Sequence, residues 1–139
     1  MIRFCYILCV LFFVAPLLIY GQTVSISDYE REDTRDMNFE IIGKMNSNIL
    51  VYKNIRAKHK INIFDRDMNT LETVRLDFIP DRSFNIDFIT YPGYFYMVYQ
   101  YQKGSILHCM AVKMDANAKK MSEPVELDTT RISIMADNK

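Results

Sequence analysis

From residue 38 onward, short apolar runs rich in β-branched and aromatic residues alternate with clusters of turn formers, and no stretch carries a sustained apolar stripe at helical spacing. That pattern predicts strands throughout. The expected strands are 38–45 (NFEIIGKM), 49–55 (ILVYKNI), 59–65 (HKINIFD) and 71–79 (LETVRLDFI). After Pro80, Asp81 and Arg82 come 84–91 (FNIDFITY), 94–101 (YFYMVYQY), 106–114 (ILHCMAVKM) and 123–128 (EPVELD). Asn46-Ser47-Asn48, residues 66–70, Pro92-Gly93 and Lys103-Gly104 fall between them. These residue types favour turns because Asn and Asp bond the local backbone, Pro presets φ and Gly tolerates positive φ.

The eight strands divide into two sets of four that resemble each other in order. "INIFDRDMNTLETVRLD" (61–77) lies beside "AVKMDANAKKMSEPVELD" (111–128): Asp65 and Asp115 are 50 residues apart, and the Leu76-Asp77 and Leu127-Asp128 pairs are 51 apart. Upstream, "ILVY" ending at Tyr52 aligns by letters with "YMVY" ending at Tyr99. Pro124 lacks the amide proton that a central strand donates, which assigns the fourth strand of the second set to a sheet edge. Strand three of each set and residues 94–101 carry apolar groups on both faces, as sheets packed between neighbours do.

Four-stranded units of this length resemble the blades of a β-propeller, and the arrangement is similar to that of exported bacterial proteins with blade-like repeats. The resemblance covers residues 38–139 without a Trp-Asp dipeptide or paired glycines, so it implies the architecture and no functional residues. The expected fold class is all-β, with four-stranded antiparallel blade-like repeats at 38–80 and 84–128. The stretch "RISIMADNK" (131–139) repeats the order of first strand and turn, reads as the start of a third blade, and makes a truncated propeller the expectation. The alternative is a small β-sandwich of the same strands.

Composition changes the picture mainly at the N-terminus. Arg3 precedes an uncharged apolar run at 4–20, and Gly21 stands before Gln22, which reads as a signal peptide over 1–21. An uncleaved membrane anchor is the second reading. The expected location is therefore outside the cytoplasm: periplasm, cell surface or extracellular space. Residues 22–37 are polar and dense in charge, as in a linker or exposed leader. With 17 basic and 17 acidic residues over 139 positions, the chain has no net charge to draw it to nucleic acid. Of three cysteines, Cys5 and Cys9 lie within the apolar run, which leaves Cys109 as a small apolar residue of the interior.

The candidate chemistry is sparse. Asp65, Asp67 and Asn69 stand two apart, as Ca2+ ligands do, but a calcium loop needs a glycine at its sixth position and a bidentate Glu at its twelfth, where Thr70 and Leu76 stand. Turn chemistry is the favoured account, and no cofactor is expected. His59 and His108 lack partners at metal-site spacing and are expected at the surface or a strand edge. Alternation places Tyr94 and Tyr96 on one face and Phe95, Tyr99 and Tyr101 on the other. Tyr91 and Tyr94, flanking the Pro-Gly turn, are the best candidates for stacking on a sugar ring or gripping a peptide. The expected function is an exported, non-enzymatic recognition or scaffold module binding a protein or glycan. The alternative is the N-terminal part of a propeller enzyme, a glycoside hydrolase or peptidase-associated domain, with its catalytic groups elsewhere.

Overall fold

The computed structural model describes residues 23–29 and 36–131. The expected signal peptide and the strand expected at 132–136 lie outside the described residues. Eight strands follow in chain order: β1 (Met37–Met45), β2 (Asn48–Ile55), β3 (Lys58–Phe64), β4 (Thr70–Arg75), β5 (Ser83–Tyr91), β6 (Tyr94–Lys103), β7 (Ile106–Asp115) and β8 (Val125–Arg131). They form two four-stranded antiparallel meanders, β1-β2-β3-β4 and β5-β6-β7-β8, which do not close on themselves. Pro124 immediately precedes β8, an edge strand, where its missing N–H costs no ladder bond.

The hairpin turns follow the local chemistry. Pro92-Gly93 joins Tyr91 to Tyr94 with Gly93 at φ +83°, the left-handed value that a type II turn demands at its second central residue. Arg56 and Ala57 join Ile55 to Lys58 at φ +50° and +63°, a two-residue turn of the primed kind without the usual Asn or Gly.

One core lies between the two sheets. Leu50, Ile61, Phe95, Met97 and Met114 are fully buried in it, with Tyr52, Ile63, Leu76, Tyr99 and Val112 beside them. Each such side chain contributes about 1.5–3 kcal/mol by leaving water. The sheets meet where the Tyr52 ring lies 5.4 Å from the Phe88 ring, and where a Cβ at Gly43 would stand 3.8 Å from the Thr90 methyl. Phe88 passes the contact on to Phe95 at 5.9 Å.

The repeat survives as geometry. In the first sheet Asp65 N–H donates to Asn69 O and Met68 N–H to Asp65 O, with Met68 at φ +65°. In the second, Asp115 N–H donates to Lys119 O and Ala118 N–H to Asp115 O, with Ala118 at φ +56°. Anchored on this shared turn, Phe64 corresponds to Met114, Ile61 to Ala111 and Val51 to Met97 through the strand pairings. Val74 and Val125 then pair with the corresponding residues Ile61 and Ala111.

This register corrects one alignment made by letters. Tyr52 pairs with Ile61 and Val98 pairs with Ala111, so the counterpart of Tyr52 is Val98 rather than Tyr99. A one-residue slip moves a side chain to the opposite face of the sheet. Tyr52 and Tyr99 are both buried, yet they stand on non-corresponding faces. The first sheet buries Leu50, Tyr52 and Ile61 in the shared core, and their counterparts Tyr96, Val98 and Ala111 point away from it; the second buries Met97 and Met114 there, and their counterparts Val51 and Phe64 are buried with Asn62 on the other face of the first sheet. The two sheets stack by unlike faces.

Candidate functional site

The acidic turn is the arrangement that most resembles a ligand set. One Asp65 oxygen accepts the N–H groups of Asp67 and Asn69 at 2.9 Å each, and the other accepts the Asn69 amide at 3.0 Å. Asp115 accepts from Asn117 and Lys119 N–H at the same distances. The side-chain bond from Asn69, reinforced by the backbone donors, holds the Asp65 carboxyl below its ordinary pKa. Asp67 is exposed and Asn69 closes the turn. Both acids at the head of these turns are occupied in shaping the backbone, which is what Asp does in tight turns generally.

The aromatic candidates cluster. Tyr91 and Tyr94 stack with ring centroids 5.0 Å apart and planes within 13°, and Tyr96 meets both edge-on at 6.1 and 5.9 Å. Lys113 lies across from Tyr96 in the β6–β7 ladder and places its Nζ 4.0 Å from the Tyr94 ring centroid, within cation–π range. Antiparallel pairing creates this group: Tyr91 is opposite Tyr94, and Tyr94 and Tyr96 are two apart on the same strand face. Tyr91 is exposed, while Tyr94, Tyr96 and Lys113 are half-buried. Phe95 and Tyr99 sit on the opposite, buried face, as alternation requires, and Tyr101 packs against that core. Tyr96 and Lys113 belong to the cluster although sequence singled out only the tyrosines flanking the turn. Period two in β6 already put Tyr96 on that face, but Lys113 needed the register between β6 and β7.

His59 departs from the surface position expected of it. It is 6% exposed, because β3 directs it into the interior and the segment after β4 crosses over it. Nδ1 lies 2.6 Å from the Tyr52 hydroxyl. Burial pushes the Tyr52 pKa up, the Glu40 charge adds to this, and the phenol stays protonated. With Tyr52 donating, the proton of the neutral imidazole sits on Nε2, which has no hydrogen-bond partner among the described residues. The ring lines a cleft of about 490 Å³ bounded by the β2–β3 turn and the segment leading to Asp81, with Arg56, Lys58, Arg75, Asp77 and Asp81 around it.

Burial lowers the His59 pKa, with Asp81 and the Pro80 carbonyl pulling the other way. Unfolding returns the ring to its ordinary value near 6.5, so below that pH the unfolded chain binds the extra proton. The stability contributed by neutral His59 is complete above about pH 6.5 and is lost as pH falls toward the lower folded value. The urea midpoint is expected to fall between pH 8 and pH 5.5, and His59→Gln to flatten that dependence; equal slopes in both proteins would remove His59 as its source.

The other histidine is a surface group. His108 Nδ1 lies 2.6 Å from a Glu126 oxygen and its ring stacks on Tyr101 at 4.8 Å. Cys109 is half-buried rather than an interior residue, because β7 places it on the side of the sheet facing away from the shared core. Among the described residues, no helix is long and apolar enough to cross a membrane. Comparison with protein-family models, with curated proteins and with solved structures gives no match to this chain.

Proposed function

We propose that the two sheets are consecutive blades of a β-propeller-type repeat, and that the chain is an exported, non-enzymatic recognition or scaffold module for a protein or glycan. The repeated Asp-headed turn and the stacking by unlike faces support the blade reading, since a series of units in one orientation presents the same pair of faces at every step. The single observation that carries recognition is the cluster of Tyr91, Tyr94 and Tyr96 with Lys113 on an outward sheet face. Stacked phenols offer flat apolar area with polar rims, the chemistry that fits a pyranose face or a peptide aromatic.

The test is binding of the purified protein to panels of glycans and cell-envelope proteins. A ligand is expected whose affinity falls about tenfold or more in Tyr91→Ala/Tyr94→Ala, from about 0.5–1.5 kcal/mol per aromatic contact. Ligands unaffected by the double substitution would contradict the assignment of the site.

The enzyme reading is favoured by one feature, the cleft around His59 with Asp77 and Asp81 beside it. It predicts hydrolysis of a glycoside or peptide that is abolished by His59→Gln while the fold is kept.

A further inference from the structure

The cleft beside the β2–β3 turn encloses about 490 Å³, a volume in the range of small-molecule sites. Its walls carry more positive than negative charge, with Arg56, Lys58, Lys60 and Arg75 set against Asp77 and Asp81. Strand register concentrates the cations: Lys60 is opposite Arg75 across β3 and β4, and opposite Lys53 across β2 and β3. Like charges placed directly across a ladder destabilise it, and a row of them produces a potential that draws in an anion. No ion pair joins Lys58 or Arg75 to Asp77 or Asp81, and all four are exposed.

The second indication of a ligand is His59. It belongs to the wall of the cleft and is 6% exposed, and its Nε2 is buried with no hydrogen-bond partner among the described residues. Because the Tyr52 hydroxyl donates to Nδ1, Nε2 carries the proton of the neutral ring and is a donor without an acceptor. Buried donors are paired in the great majority of cases, and a donor in a cavity wall finds its acceptor in what fills the cavity.

We infer that the cleft binds a small hydroxylated carboxylate, the chemistry of a sugar acid, with its carboxylate on Lys58 and Arg75 and its hydroxyls on Asp77, Asp81 and His59. Charge-assisted hydrogen bonds from the two cations fix the acid group. The presence of both signs selects the class: a simple anion is repelled by Asp77 and Asp81, whereas hydroxyl groups donate to those carboxylates and accept from Nε2–H. Ile55 and Ile79, also in the lining, give the C–H face of a sugar ring an apolar surface. Occupancy of this cleft is separate from the tyrosine cluster and from the stacking of the sheets, and it requires no turnover, so recovery of the bound compound unchanged distinguishes it from hydrolysis at His59.

The test is calorimetric titration of the full chain with sodium glucuronate, with glucose, acetate and inorganic phosphate as comparators. Glucuronate is expected to saturate a single site at about millimolar concentration or below and to shift the His59 signals in proton–nitrogen correlation spectra. Glucose lacks the carboxylate and acetate the hydroxyls, and each is expected to bind about tenfold or more weakly. Lys58→Gln/Arg75→Gln is expected to lower glucuronate affinity by about tenfold or more, and Asp77→Ala/Asp81→Ala to remove the preference for glucuronate over acetate. The four altered positions are exposed, and far-UV circular dichroism establishes that both variants remain folded. Any of the following overturns the inference: no saturation by glucuronate at about 10 mM, glucose or phosphate binding as tightly as glucuronate, His59 signals that do not move on binding, or glucuronate affinity that neither double variant alters. Binding through Tyr91 and Tyr94 stands or falls separately, since none of these substitutions alters those tyrosines.

Discussion

Phe95→Ala is expected to destabilise the protein by about 3–5 kcal/mol, a large share of the roughly 5–15 kcal/mol that holds a typical domain together. Phe95 is fully buried near the start of β6 and receives the Phe88 ring, which in turn touches Tyr52 of the other sheet. Truncation leaves a cavity that the ladders on either side prevent from collapsing, so the cavity cost adds to the lost transfer energy. Because the core is shared, both sheets are expected to lose stability together. Urea unfolding followed by circular dichroism gives the magnitude, and amide exchange in β2 and β6 shows whether the loss is common to them. Loss confined to β5–β8 would mean that the sheets fold independently.

The second large effect comes as a contrast. Leu76→Ala is expected to cost about 2–5 kcal/mol and Leu127→Ala no more than about 0.5 kcal/mol in the monomer. The two leucines occupy corresponding places in "VRLD" and "VELD", yet Leu76 is 2% exposed and Leu127 59%. Their backbones part company here: β4 ends at Arg75, so Leu76 turns out of the ladder into the shared core, whereas Leu127 stays within β8 with water over it. Equal costs for the two would mean that Leu127 is covered by packing as Leu76 is.

Much of the fold was legible because strand sequences carry local signals. Alternation in β5 and β6, the Pro92-Gly93 turn and the Asp-headed turns gave all eight strands and the two-set division. The same alternation separated Tyr94 and Tyr96 from Phe95 and Tyr99, while Tyr91 joined them only through its pairing with Tyr94. What stayed hidden depends on contacts between elements. The last strand of the first set was expected to reach Ile79 but ends at Arg75, because Leu76 and Ile79 leave the ladder to fill the core. That same departure carries the chain across His59, so its burial and the cleft beside it have no signature within "AKHK". The Tyr52–Tyr99 alignment failed for a related reason. Matching letters are insensitive to register, and in a strand a single residue exchanges the two faces.

Which face of the first sheet meets the second decides the architecture. Nuclear Overhauser spectroscopy on protein with labelled aromatic and methyl groups measures this directly. Cross-peaks are predicted between the Tyr52 and Phe88 rings and between the Thr90 methyl and the Gly43 α-protons, with none from Phe39 or Ile41 to the second sheet in the monomer. Cross-peaks from Ile41 and Val51 to Phe88 and Met97, without contact from Tyr52, would show like faces packed together, and would contradict the stacking by unlike faces.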